Sequence, residues 1–567
     1  MSGPRRMPRA ARNEYRRLRA ASDMPPATHP DVHRDIGVPV AADDGVELLT
    51  DHWWADGAGD QTLLIRTPYG RDGAAGVARF IAERGHHVVV QSCRGTFGSG
   101  GRFTPLHDEV ADGQATMRWL RAQPWSTGRV HSWGGSYFGV TQWAYCDGEL
   151  RPDAMGIAVS ARRFDDAILY PGGGFSIDTP LTWAYALGIQ ERPLLARLWA
   201  LLRARRAFAR GALTAPPSDA VRVALGEDPP FFRDWVEHSD AGDPWWEPMH
   251  FASDPQTVPP VTLMAGWQDL FLVGQLHDHA ALTDAGVPVR LVVGDWIHGA
   301  PETTVLGVRE ALRQFEGTGT TTGARVEISG GGGWRELASW PPDSSPQRLD
   351  LTGDGGLSAA DGTRAPTTMS YRYDPSDPTP DAGGRTLNPF GAGRRRQRRR
   401  EARDDVLVFT GERLAEPLTV IGEPSIELTL SSSNPRADLF VRLCEVDAKG
   451  ASLAITDGYV RLASESDSGT AAGEPRRIRL PLAPLAHRFA AGHRLRVQIS
   501  SGAHPLHLRN PGTDDPVRDH SRLVPSTQTL ALGGDSPAVL SLPLVVEEDT
   551  DRSPVRGTMT ECPSPAA

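Results

Sequence analysis

Ser136 stands in Gly134-Gly135-Ser136-Tyr137-Phe138-Gly139, after Arg129-Val130-His131-Ser132-Trp133, which reads as a short strand, and before Val140-Thr141-Gln142-Trp143. A serine flanked by glycines at a strand-to-helix turn is the arrangement that strains the backbone and lifts a nucleophilic Oγ above a sheet edge. Such a hydroxyl is weak alone. It needs a base within hydrogen-bond reach and an acid that orients the base. Two later loops offer them in the chain order Ser, Asp, His that α/β-hydrolases use. The run Val261–Gly266 leads into Trp267-Gln268-Asp269, and the run Val289–Val293 leads into Gly294-Asp295-Trp296-Ile297-His298. The competing groups fit less well. His131 is on the serine's own strand, roughly 16 Å away at strand rise. His277 and His279 are two apart on a helical segment and do not share a face. Asp295 shares the histidine's loop, where a turn or solvent contact is its expected use.

Acyl transfer through Ser136 also needs donors for an oxyanion. The N–H of Tyr137, directly after the nucleophile, is one. The second should come from the loop after an earlier strand, where Pro68-Tyr69-Gly70 sits. There Tyr69 either supplies its hydroxyl or simply covers the sheet edge.

The elements that must position these residues follow from the apolar pattern. Asp44-Gly45 marks a hairpin, and Thr62–Ile65, His87–Gln91 and Ala154–Val159 read as buried strands. Helices are expected over 74–83 and 107–123, the latter with Val110, Gly113, Met117 and Leu120 on one face. Alternation of strand and helix implies a mostly parallel sheet. It stops near Ser160 and resumes at Val261; the Leu/Arg-rich and Trp-containing stretch between them is expected to form a helical cap. From about residue 345, short alternating stretches separated by Gly, Pro, Asn and Asp predict an all-β sandwich. The expected organisation is therefore a basic, unordered tail (1–30), an α/β-hydrolase domain in two parts (31–160 and 256–344), a helical cap (161–255), a β jelly roll (345–549) and a C-terminal tail (550–567). Within the first tail, Asn13–Arg19 could form a short surface helix.

Composition bounds the remaining possibilities. A chain of 567 residues with formal net charge −10 calls for two or three domains and argues against a general nucleic-acid binder. Cys93, Cys146, Cys444 and Cys562 form no CxxC pair, so no cysteine-based metal site or disulfide framework is expected. The basic N-terminal segment lacks the apolar core of a secretion signal, and no run of 18 apolar residues occurs. These features predict a cytoplasmic protein without membrane, nucleic-acid, metal or cofactor partners. The run Arg394-Arg395-Arg396-Gln397-Arg398-Arg399-Arg400 is expected as a solvated loop rather than a polyanion site.

Taken in order, Arg66-Thr67-Pro68-Tyr69, Arg94-Gly95, the Ser136 motif, Gly266-Trp267-Gln268-Asp269 and Trp296-Ile297-His298-Gly299 resemble the CocE/NonD hydrolases. That family includes cocaine esterases, Xaa-Pro dipeptidyl-peptidases and α-amino acid ester hydrolases. Trp334-Arg335, Trp340-Pro341-Pro342 and Gly492–Val497 look like its β-domain signatures, and the resemblance spans residues 36–548. It implies Ser136 as nucleophile, His298 as base, Asp269 as orienter, and the Tyr69 hydroxyl with the Tyr137 N–H as oxyanion donors. Ser92 and His131-Ser132-Trp133 depart from the family pattern without touching the triad. The expected activity is hydrolysis of a small ester, amide or short peptide through an acyl-enzyme. Two alternatives are a Xaa-Pro dipeptidyl-peptidase, with Asp165-Asp166 as candidate amine ligands, and a non-catalytic binding protein.

Overall fold

The computed structural model describes residues 7–545 apart from 22–23, 60, 240–242, 361–363, 463–471 and 514. Ten strands make the first sheet: β1 (Val32–Ala41), β2 (Glu47–Ala55), β3 (Thr62–Thr67), β4 (His87–Ser92), β5 (Val130–Gly135), β6 (Ala154–Ala158), β7 (Val261–Gln268), β8 (Val289–Ile297), β9 (Ala324–Ile328) and β10 (Gly333–Leu337). Their order is β1-β2-β4-β3-β5-β6-β7-β8-β9-β10. The pairs from β4 through β9 are parallel, whereas β1, β2 and β10 pair antiparallel. Every residue of β3, β4 and β7 is buried, as a parallel sheet covered on both faces requires.

Helices α1 (Arg9–Ala20), α2 (Ala75–Ala82), α3 (Glu109–Arg121) and α4 (Tyr137–Tyr145) come from the first part of the chain. Between β6 and β7 the chain leaves the sheet and forms α5 (Asp178–Gln190), α6 (Leu194–Ala212), α7 (Ala220–Leu225) and α8 (Pro230–Glu237) with several short turns. α9 (Leu272–Asp284) and α10 (Pro301–Phe315) then return to the sheet. Thirteen further strands, from Ser344–Leu351 to Val539–Val545, form the all-β C-terminal domain. The expected C-terminal tail lies outside the described residues.

Two expectations are corrected. The segment expected as an unordered tail contains the twelve-residue helix α1, with Ala11 and Leu18 buried against α2. Those two residues are seven apart, two turns of one helix face, while the arginines occupy the others. Tyr15 Oη donates to Glu83 at 2.6 Å. Gly76 permits the contact, since a Cβ there would stand 2.5 Å from the Ala11 carbonyl oxygen. The arginine run is not simply a solvated loop either. Arg395, Arg396, Arg398 and Arg399 are exposed, but Arg394 donates to Asp295 at 2.9 Å and Arg400 is buried. Arg400 donates to Gln498 Oε1 at 3.1 Å and to the Gly502 carbonyl at 2.9 Å. A buried cation held by neutral acceptors is costly to charge, and burial lowers the Arg400 guanidinium to about 10.

Candidate active site

The serine turn is built as the glycine pattern requires. Ser136 sits at φ 57° and ψ −131° between β5 and α4, a conformation that L-residues rarely adopt. Its N–H donates to the Ala158 carbonyl on the neighbouring strand β6 at 2.9 Å. A Cβ at Gly134 would lie 2.3 Å from Phe138 Cβ, and one at Gly139 would lie 2.4 Å from Ser160 Cβ. The two glycines therefore let strand, turn and helix approach closely enough to hold the strained serine. Below the turn, Tyr137 Oη donates to Glu109 at 3.0 Å and accepts the Leu106 N–H at 2.7 Å. Glu109 in turn pairs with the buried Arg66 of β3 at 3.0 Å. Burial raises the Glu109 carboxyl, with Arg66 opposing. The motif arginine thus braces the turn from beneath.

The three sequence candidates converge. His298 Nε2 is 3.0 Å from Ser136 Oγ, and His298 Nδ1 is 2.7 Å from Asp269 Oδ2. The consistent assignment is His298 Nδ1–H donating to Asp269 Oδ2 and Ser136 O–H donating to His298 Nε2. Asp269 is wholly buried, and its other oxygen accepts the Phe271 N–H at 2.8 Å. The carboxylate is thereby fixed by its own loop while it orients the imidazole. Asp295 does not compete, because its carboxylate pairs with Arg394 at 2.9 Å while His298 Nδ1 is held by Asp269. His131 is buried in β5 and stacks on Phe315 with ring centroids 4.4 Å apart. Ser92, at the first departure from the family pattern, accepts Arg71 Nη1 at 2.7 Å.

Tyr69 shares the cavity wall with Ser136, and Trp183 Nε1 donates to Tyr69 Oη at 2.7 Å. Burial pushes the phenol up to about 12, partly offset by the Trp183 and Ser136 hydrogen bonds, so it is protonated at neutral pH. An indole N–H can only donate. Trp183 must therefore occupy a lone pair of Tyr69, which leaves the phenolic hydrogen free to donate into the cavity beside Ser136. The Tyr137 N–H belongs to the first residue of α4, where a helix supplies no acceptor of its own.

Trp183, on α5, is a residue that sequence reasoning missed. It stacks between Tyr137 and Trp235 at centroid distances of 5.5 and 5.7 Å. A lone tryptophan in a Trp-rich insertion carries no sequence signal of that role. The space around Ser136 has two sides. An aromatic slot of about 20 Å³ is walled by Phe164, Ile168, Trp183, Trp235 and Phe271. A larger cavity of about 570 Å³ opens toward Gly299, Thr303, Tyr185, Phe208 and Phe390, with Glu14 of α1 in its wall. Burial raises the Glu14 carboxyl to about 7 against the opposing effects of Arg17 and the Val77 N–H. Asp165, by contrast, is buried and bound by Arg163 at 2.9 Å and His250 at 3.1 Å. Asp166 lines a separate cavity of about 380 Å³ between cap and β-domain. Among the described residues no cluster of His, Cys, Asp and Glu could hold a metal ion, and no helix is long and apolar enough to cross a membrane.

A strained serine on a parallel sheet, joined through histidine to a buried aspartate, defines the molecule as a serine hydrolase of the α/β-hydrolase class. Residues 44–300 match the X-Pro dipeptidyl-peptidase (S15 family) domain, and residues 316–541 match the X-Pro dipeptidyl-peptidase C-terminal non-catalytic domain. Cocaine esterase of Rhodococcus sp. (strain MB1 Bresler) is 29% identical over 88% of this chain and 97% of its own length. An aminopeptidase from a marine sediment Thaumarchaeota archaeon shares the fold at TM-score 0.76 and 22% identity, over 93% of this chain and 98% of that one. An α-amino acid ester hydrolase does so at TM-score 0.74 and 22% identity, with the same coverage. The two models together account for most of the chain, which belongs to the S15 family of serine hydrolases.

Proposed function

We propose that the protein is a carboxylic-ester hydrolase that works through an acyl-enzyme on Ser136. The observation that carries this reading is the continuous chain Asp269–His298–Ser136, with contacts of 2.7 and 3.0 Å. His298 takes the serine proton as Oγ attacks the ester carbonyl. Asp269 stabilises the imidazolium that forms. The carbonyl oxygen gains negative charge that the Tyr69 hydroxyl and the Tyr137 N–H stabilise as donors. His298 then returns the proton to the leaving alcohol, and water, activated by the same histidine, releases the acid.

The surroundings favour an uncharged substrate. His298 lines both spaces, and of the two only the larger cavity, beside Gly299 and Thr303, has room for a sizeable leaving group. The acyl part then faces the aromatic slot, whose lining includes no carboxylate among the described residues. One feature favours the dipeptidyl-peptidase alternative, namely Glu14 in the wall of the larger cavity. The comparison that separates them is turnover of p-nitrophenyl acyl esters against Ala-Pro-p-nitroanilide. A preference for the esters of at least about 10²-fold in kcat/KM supports the esterase, and the reverse order overturns it.

A further inference from the structure

The aromatic slot beside Ser136 is small for the acyl group it must hold. Its empty space of about 20 Å³ admits one or two carbon-sized groups, since about 10–15 Å³ holds one water. Behind it lies the cavity of about 380 Å³ between cap and β-domain. Ile168, Thr179 and Leu270 line both spaces, so a single layer of side chains divides them. Among the described residues, the larger cavity on the leaving-group side shares no lining residue with the 380 Å³ cavity. The space behind the divider therefore continues the acyl side of Ser136.

Three elements supply the divider. Ile168 is on the single π-turn Asp165–Leu169, and Thr179 is the second residue of α5. Leu270 directly follows Asp269 of the triad. All three are buried. Gly274 of α9 lets the π-turn close against that helix, because a Cβ there would stand 2.8 Å from Ala167 Cβ. Thr179 Oγ1 accepts the Leu387 N–H at 3.4 Å, which ties the divider to another wall of the slot. π-turns are frequent at functional sites.

Beyond the divider the lining is largely aliphatic, with Val273 from α9 and Val460, Leu480 and Leu482 from the β-domain. Of the charged residues in the lining, Arg385 and Asp457 pair with each other at 2.6 Å. Asp166, His277, Glu423 and Arg479 are exposed and of both signs. Such a lining suits an uncharged hydrocarbon chain better than an ionic ligand.

We propose that Ile168 and Leu270 set the length of the acyl group that Ser136 can carry. Closed, they confine the enzyme to short acyl groups; cut back, they join the slot to a ready-made compartment for straight alkanoyl chains. The inference rests on the acyl-enzyme reading and names the acyl class for it.

The ratio of kcat/KM for p-nitrophenyl octanoate to that for p-nitrophenyl propionate tests it. The wild type favours propionate. Each methylene taken from water into an apolar cavity is worth about fourfold, and octanoate carries several more than propionate. Ile168→Ala should therefore raise the ratio by at least about tenfold, and Leu270→Ala opens the divider from its other side if the first variant fails to fold. Adding Val460→Trp, which fills the outer compartment from a residue outside the slot lining, should bring the ratio back toward the wild-type value. A wild type that prefers octanoate overturns the inference. So does a ratio unmoved by either opening, or a gain that Val460→Trp does not cancel. A wild type that turns over neither ester and leaves Ser136 unlabelled by a fluorophosphonate fails the serine-hydrolase reading itself, and the inference falls with it.

Discussion

Tyr69→Phe isolates one hydrogen bond with little other disturbance. The ring packs 5.5 Å from Phe138, and phenylalanine keeps that contact. What disappears is the hydroxyl, and with it the acceptor for Trp183 Nε1. Losing one of two oxyanion donors should lower kcat by about 10²–10³, or about 3–4 kcal/mol of transition-state stabilisation. Leaving the Trp183 N–H without its acceptor should cost about 1–3 kcal/mol of stability. The two effects are separable, since one is read by turnover of p-nitrophenyl butyrate and the other by thermal unfolding. A second substitution tests the coupling. Trp183→Phe keeps an aromatic wall but frees the Tyr69 hydroxyl to rotate, and should cost about tenfold in kcat in the wild-type background. In the Tyr69→Phe background the same change should cost almost nothing, because there is no hydroxyl left to orient. A Tyr69→Phe enzyme within about threefold of wild type would refute the oxyanion role. An equal loss from Trp183→Phe in both backgrounds would reduce Trp183 to a wall of the slot.

Two further outcomes test the frame around the site. Burial alone would raise the Glu445 carboxyl, but His487, the Ala490 N–H and His493 outweigh it and hold it near 2, below the ordinary 4.5. A depressed carboxyl stabilises the fold above its unfolded value and loses that contribution as pH falls through its folded one. Glu445→Gln should therefore cost about 1 kcal/mol at pH 7, discounted for partial exposure, with the difference from wild type shrinking below about pH 4.5; a gap as wide at pH 3 as at pH 7 in thermal unfolding would contradict it. Leu18 is fully buried under α1, so Leu18→Ala should weaken docking of that helix by about 2–3 kcal/mol. Faster tryptic cleavage within residues 9–20 is the expected readout, and unchanged protection would show that α1 is held by other contacts.

The candidate triad was legible because Asp269 and His298 follow apolar strands and Ser136 stands in a glycine-flanked turn. Asp269 and His298 lie one and one residues past the ends of β7 and β8, and Ser136 lies one past β5. Strand ends at one sheet edge converge in space, so sequence order was enough. Trp183 was not legible, since its function depends on where a cap helix lies over the sheet. Helix α1 was legible only as a possible surface helix over Asn13–Arg19; two buried residues seven apart are too sparse a pattern to predict that it docks on α2. Arg400 shows the same limit from the other direction. Nothing in an arginine run distinguishes the member that ends among Gln498, Ser500 and two backbone carbonyls from those that face water.

The central claim is that Ser136 attacks substrate, and covalent labelling tests it most directly. A fluorophosphonate should form one adduct per chain, mapped by peptide mass to Ser136, and abolish esterase activity in proportion. Ser136→Ala should take up no label and should lose roughly 10⁴-fold or more in kcat. An adduct on another residue, or full esterase activity in Ser136→Ala, would contradict the account.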